Sequence, residues 1–226
     1  MKNNKTIKCV IFDMDGCLVD TEACYVKSWK SAFEIDGFSI NSDVIDSWAG
    51  LGTTYIDDEI YKLTRDINRS KKIRQLREDM FFELLEAGAV ELKPYAKEIL
   101  SFIKANKIKV GLASSTFEFK ALKILKYFEL LNFFDFMVFG DQVRNLKPEP
   151  DIYLKALEIS EENIEDCLVF EDSVSGVKAA KSAGFNNIIH IPDSSILKNQ
   201  VDLNTFARVD DFSQSIDLIK KIVKLG

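Results

Sequence analysis

The chain has 226 residues, 46% of them apolar, 29% charged and 11% aromatic, and a formal net charge of -6. That balance belongs to a globular protein with a buried core and excludes a disordered chain. An acidic chain disfavours nucleic acid and anionic membranes as partners but leaves a small anionic substrate open, because local charge in a pocket can oppose the global field.

Lys8 to Phe12 is a short apolar run that stops at an acidic, glycine-containing turn, which predicts the first strand. From about 21 to 87 the pattern is helical. "TEACYVKSWKSAFEI" follows Thr21 as an N-cap, "NSDVIDSWAG" is capped by Asn41 or Ser42, and "TTYIDDEIYKLT" and "RSKKIRQLREDMFFELLEAG" complete the run. No strand is predicted there. Beyond residue 92 strands and helices alternate. A helix opens at Pro94, and "KVGLA" (109–113), "FDFMVFG" (134–140), "CLVF" (167–170) and "NIIHI" are strands separated by helices, with "SQSIDLIKKIVKL" as the last helix. This alternation predicts an α/β fold, a Rossmann-like doubly wound parallel sheet covered by helices on both faces. The helical stretch reads as an insertion, giving a core domain of residues 1–17 and 92–226 and an all-helical cap domain of residues 18–91. An insertion at the carboxyl end of a strand belongs near the ligand crevice of such a sheet, which makes it a lid.

Cys9, Cys17, Cys24 and Cys167 form no CxxC pair, and His190 is the only imidazole, so no zinc site is expected. Scattered thiols, the absence of an apolar run of ~18 residues and an N-terminus "MKNNKTIKCVIF" too short in apolar residues for a signal peptide give a cytoplasmic expectation. The residues give no basis for an oligomeric state, and a monomer is the default.

Polar groups gather at one predicted sheet edge. Asp13 and Asp15 follow the first strand; Ser114, Ser115 and Thr116 follow "KVGLA"; Lys147 follows "FDFMVFG"; Glu171 and Asp172 follow "CLVF". Each cluster also has a local reading: Asp and Gly favour turns, and Ser114, Ser115, Asp172 or Ser173 can cap helices. Local readings do not explain why acids end both apolar strands. Three carboxylates at one spot need a cation, and oxygen ligands on short loops suit Mg²⁺. With a hydroxyl and a lysine beside it, such an ion makes a phosphoryl site in which a remaining carboxylate can attack phosphorus.

"FDMDGCLVD", "GLASST", "LKPEPDIY" and "VFEDSVSGVKAA" resemble, in order and over essentially the whole chain, the four motifs of the haloacid dehalogenase superfamily, in its phosphatase and phosphomutase branch with a small helical cap. The resemblance implies Asp13 as the nucleophile and Asp15 as the general acid/base, with its carbonyl on Mg²⁺. It implies phosphoryl binding by Ser114, with Ser115 beside it, and Lys147 as the cation bridging nucleophile and phosphate. Asp172 is the further metal carboxylate, and Glu171 either joins the metal shell or orients its water. Cys17 stands where Thr is common. The sugar phosphomutase of this branch carries a cap histidine near the position of Tyr25 and an arginine in the loop matching "WAGLGTT" (48–54). This chain has neither, which favours hydrolysis over intramolecular transfer.

The expected function is therefore Mg²⁺-dependent hydrolysis of a small phosphomonoester, a sugar phosphate or related metabolite. The alternatives are a sugar phosphomutase and a non-catalytic metabolite-binding protein. Segments near Val19–Asp20 and Val90–Lys93 are expected hinges. "AGLGTT" is either a substrate-touching loop or a plain connection, and the basic run "RSKKIRQLR" (69–77) is expected as a solvated helix face.

Overall fold

A computed structural model describes residues 7–48, 53–192 and 203–222. The chain runs β1 (Cys9–Phe12), β2 (Val19–Asp20), α1 (Glu22–Asp36), α2 (Ser42–Asp46), α3 (Thr53–Thr64), α4 (Ile67–Glu86), β3 (Glu91–Leu92), α5 (Ala96–Ala105), β4 (Lys109–Ser114), α6 (Glu118–Tyr127), β5 (Phe136–Phe139), α7 (Asp151–Ser160), β6 (Cys167–Glu171), α8 (Val174–Ser182), β7 (Ile188–His190), β8 (Ala207–Arg208) and α9 (Phe212–Ile222). Six strands form one sheet in the order β5-β4-β1-β6-β7-β8, with every ladder parallel. This is the Rossmann-like α/β sheet that the alternating pattern predicts.

The central strands are apolar along most of their length because both faces are covered, with polar residues confined to their ends. Cys9 and Ile11 point to one face, into a cluster with Ile152, Tyr153, Val177 and Phe185. Phe12 stacks on Phe170 at 4.8 Å, and Phe212 of α9 meets its edge at 5.9 Å. Strand order reverses at β1, which puts the crevice of a doubly wound sheet at its carboxyl end.

By contacts the chain divides into two compact units, Met1–Val19 with Leu92–Gly226, and Asp20–Glu91. The second unit has its own core, in which Trp29, Phe33, Ile45, Trp48, Ile60 and Ile73 pack together, with Trp29 and Trp48 edge to face at 5.7 Å. β2 and β3 pair as a separate two-stranded sheet where the chain passes from one unit to the other.

Several local features depart from the sequence reading. The strands β2, β3 and β8 are two residues each, too short for period-two alternation to register. α4 starts at Ile67 rather than Arg69, because the Asp66 carboxylate accepts from the N–H groups of Asn68 and Arg69 at 2.8 and 3.1 Å. α5 starts at Ala96 rather than Pro94, after Tyr95 at φ 64°. The basic run 69–77 is not simply a solvated face. Arg69 and Lys72 both pair with Asp36 at the end of α1, at 2.6 and 2.9 Å, and Arg77 is buried with its guanidinium 4.2 Å above the Tyr25 ring. Residues 49–52 of the "AGLGTT" loop lie outside the described residues. No helix among the described residues is long and apolar enough to cross a membrane.

Candidate active site

Sheet register builds the site. Phe12 is level with Leu112 on one side and Phe170 on the other. One step further along come Asp13, Ala113 and Glu171, so motifs far apart in sequence end at the same height. The Asp13 N–H donates to the Phe170 carbonyl at 3.0 Å and extends the ladder by one residue. Alternation then buries Met14 completely and turns Asp13 and Asp15 to the same side. Gly16, at φ 76°, supplies the left-handed step that folds the chain back, and Val19 N–H closes the loop on the Met14 carbonyl at 3.0 Å.

Lys147 arrives from the loop after β5. Its ammonium donates to Asp13 Oδ1, to Glu171 Oε1 at 2.6 Å and to the Ala113 carbonyl at 3.0 Å. All three of its donors are thus engaged, and the side chain is 6% exposed. A loop lysine in water would have none of these partners.

Glu171 is fully buried and saturated. Oε1 accepts from Lys147 and from the Tyr153 hydroxyl, each at 2.6 Å. Oε2 accepts from the N–H groups of Asp172 and Ser173 at 3.2 and 3.3 Å and from the Ser173 hydroxyl at 3.2 Å. Ser173 also caps α8, accepting from Gly176 N–H at 3.0 Å. Tyr153 escaped the sequence reading. The available signal was a tyrosine on the buried face of the helix after "KPEP", where its hydroxyl must find a partner. His190 is buried in β7, and its Nε2 lies 2.9 Å from the Asp172 carbonyl.

Ser114 and Ser115 do not cap α6, whose first N–H, on Glu118, donates to Asp141 at 3.0 Å. Ser114 Oγ accepts from Thr116 N–H at 3.1 Å and lies 3.5 Å from Asp15 Oδ2. Ser115 Oγ is buried without a hydrogen-bond partner. Native structures rarely strand a buried hydroxyl.

The electrostatics are dominated by crowded acids. Burial pushes the Asp13 carboxyl up to about 8; the Lys147 ammonium pulls it back, while Glu171 and Asp15 add to the rise. Lys147 resists desolvation and is held above its ordinary value by Asp13 and Glu171. Asp13, Glu171 and Asp172 are all buried and present oxygens within 4.8 Å of one another, a set able to hold a metal ion. Glu171 already accepts five hydrogen bonds, which leaves its carboxylate little capacity to ligate a cation.

The haloacid dehalogenase-like hydrolase family model matches residues 7–184. A phosphorylated carbohydrates phosphatase of Thermotoga maritima is 38% identical over 192 residues, covering 83% of this chain and 87% of that protein. The beta-phosphoglucomutase of Bacillus subtilis is 29% identical over 184 residues, covering 79% and 80%. A Thermotoga maritima structure provisionally assigned as a beta-phosphoglucomutase superposes with a TM-score of 0.78 at 34% identity, over 96% of this chain and 100% of that one. With its motifs meeting at one sheet edge and its match running through all of them, the chain belongs to the haloacid dehalogenase-like hydrolases and is a phosphohydrolase.

Proposed function

We propose that the enzyme hydrolyses a small phosphomonoester, a phosphorylated carbohydrate or close relative, through an aspartyl phosphate on Asp13. The observation that carries this reading is the bond from Lys147 to both Asp13 and Glu171, which fixes a carboxylate at the mouth of the parallel sheet. The substrate class rests on the similarity to the Thermotoga maritima carbohydrate phosphatase.

In this mechanism an Asp13 oxygen attacks phosphorus while the Asp15 carboxyl gives its proton to the departing alkoxide. Asp15, now ionised, takes a proton from water as that water attacks the acyl phosphate, and Asp13 is released with inorganic phosphate. Ser114 and Ser115 donate to phosphoryl oxygens. Lys147 contributes its charge and its grip on Asp13, since its three donors are engaged. Mg²⁺, held by Asp13, Asp172 and the Asp15 carbonyl, would neutralise phosphoryl charge. The saturation of Glu171 supports an orienting role for it, holding Lys147, rather than a place among the metal ligands. The helical unit of residues 18–91 acts as the cap that excludes water, with hinges near Val19–Asp20 and Val90–Lys93. Four free cysteines, all buried, support a reducing compartment such as the cytoplasm.

Transfer within a sugar phosphate is the competing reading. Tyr25 carries no titrating imidazole and packs against Arg77 and Phe81, at 4.2 and 4.6 Å, which favours hydrolysis. A panel of phosphorylated metabolites tests the proposal by its products: inorganic phosphate is expected, and an isomeric phosphate in its place sinks hydrolysis. Asp13→Asn is expected to lower turnover about a thousandfold or more with the fold intact. Near-normal turnover in that variant rules out the covalent route.

A further inference from the structure

We infer that Thr116 is the positioning residue of Asp15, fixing which carboxyl oxygen carries the transferable proton. The inference rests on the acid/base role of Asp15 proposed above. Thr116 lies just beyond β4 and is tied at three points. Its N–H donates to Ser114 Oγ at 3.1 Å, and its carbonyl accepts from Gly140 N–H at 3.1 Å. Its hydroxyl donates to Asp15 Oδ2 at 2.7 Å, much shorter than the 3.5 Å from Ser114 Oγ to the same oxygen. The Gly140 contact is enforced by space, because a β-carbon there would come within 2.1 Å of the Ser115 carbonyl oxygen. The backbone that carries Thr116 therefore has little freedom to withdraw.

The chemistry follows from the direction of that bond. A hydroxyl that donates to Oδ2 leaves the carboxylic acid proton to Oδ1. Oδ1–H gives its proton to the leaving oxygen as the phosphorus–oxygen bond breaks, and Oδ1 then takes a proton from the attacking water. Thr116 keeps its own proton in both steps and stops the carboxyl from turning over. Ser114 does not replace it, since Ser114 Oγ faces Asp15 at the limit of hydrogen-bond length.

A leaving group that departs without a proton does not need this arrangement, and that separates positioning from general damage. The test is the pre-steady-state rate of phosphoryl transfer to the enzyme, measured with p-nitrophenyl phosphate and with phenyl phosphate, whose leaving group is the poorer. Thr116→Val keeps the shape and deletes the donor. It is expected to slow phenyl phosphate about 10–100-fold more than p-nitrophenyl phosphate, part of the full general-acid contribution, with KM little changed. Thr116→Ser restores the donor and is expected to recover most of the loss. If the valine variant is unstable, Thr116→Ala is read in the same way. Equal slowing of both substrates in the variant without the hydroxyl, or no recovery with serine, overturns the inference. Asp15→Asn separates the two layers. If it too slows both substrates equally, the acid/base role of Asp15 fails; if it discriminates and the Thr116 variants do not, only the positioning role fails.

Discussion

Gly176 lies so close to the carboxylate of Glu171 that a β-carbon in its place would come within 1.9 Å of Oε1 and 2.0 Å of Cδ. A side-chain tip usually moves aside for such an addition. Glu171 cannot do so, being fully buried and held by Lys147, Tyr153, Ser173 and two backbone N–H groups. The glycine inside "VFEDSVSG" is therefore a requirement of the site, despite the cost of a glycine within a helix. Gly176→Ala is expected to destabilise the protein by about 1–3 kcal/mol through overpacking. It should also lower kcat, because a displaced Glu171 releases Lys147. Urea unfolding and steady-state kinetics check both; unchanged values in both would mean that Glu171 has room to retreat.

Tyr153→Phe removes one donor from a buried carboxylate and leaves its ring packing in place. A hydrogen bond to a charged group contributes about 1.5–3 kcal/mol, and a loss in that range is expected in chemical denaturation. The ring also faces the Lys147 ammonium at 5.0 Å, a contact that phenylalanine keeps. A variant as stable as the parent would show that the hydroxyl contributes nothing to holding Glu171.

Chelation of divalent ions is expected to stop hydrolysis, and Mg²⁺ should raise the unfolding temperature of the chelated protein. Ligand at a hundredfold over its dissociation constant adds about 2.7 kcal/mol to stability. Asp172→Asn should shrink that thermal shift. A shift of full size in the variant would remove Asp172 from the ligand set, independently of any activity measurement.

His190 offers a pH test, because it is the chain's single histidine. A carbonyl only accepts, so the Nε2 facing Asp172 at 2.9 Å carries hydrogen. Burial lowers the ring's affinity for a second proton, outweighing the Asp172 carbonyl, which raises it. The unfolded chain therefore binds that proton more readily than the folded one. The stability linked to His190 is complete above the unfolded value of about 6.5 and is lost as pH falls below it toward the lowered folded value. An NMR titration of the ring is expected to show a midpoint below about 6.5. His190→Gln, which retains a donor but does not titrate, should lack that part of the stability decline. A ring midpoint above the ordinary value contradicts this account.

The sheet, and the edge where the polar motifs gather, are legible in the chain alone. Apolar runs of strand length between amphipathic helices leave few alternatives to a parallel sheet. Carboxyl ends of parallel strands lie together whatever the details of the loops, so Asp13, Ser114, Glu171 and Asp172 were legible as one group. Most of their pairings were not. Lys147 beside Asp13, a bond spanning 134 residues of chain, was implied by the family resemblance alone, and the bond from Thr116 to Asp15, spanning 101, by nothing in the sequence. Which hydroxyl meets which carboxylate depends on register and on the last few tenths of an ångström of backbone placement, about which local propensity says nothing. The same holds for Arg77, part of a basic run along the chain yet buried against Tyr25 in space. Glu171 is decided in the same way. Its class was plain from the motif, while its partners were set by a tyrosine, a capping serine and a glycine that only packing brings to it.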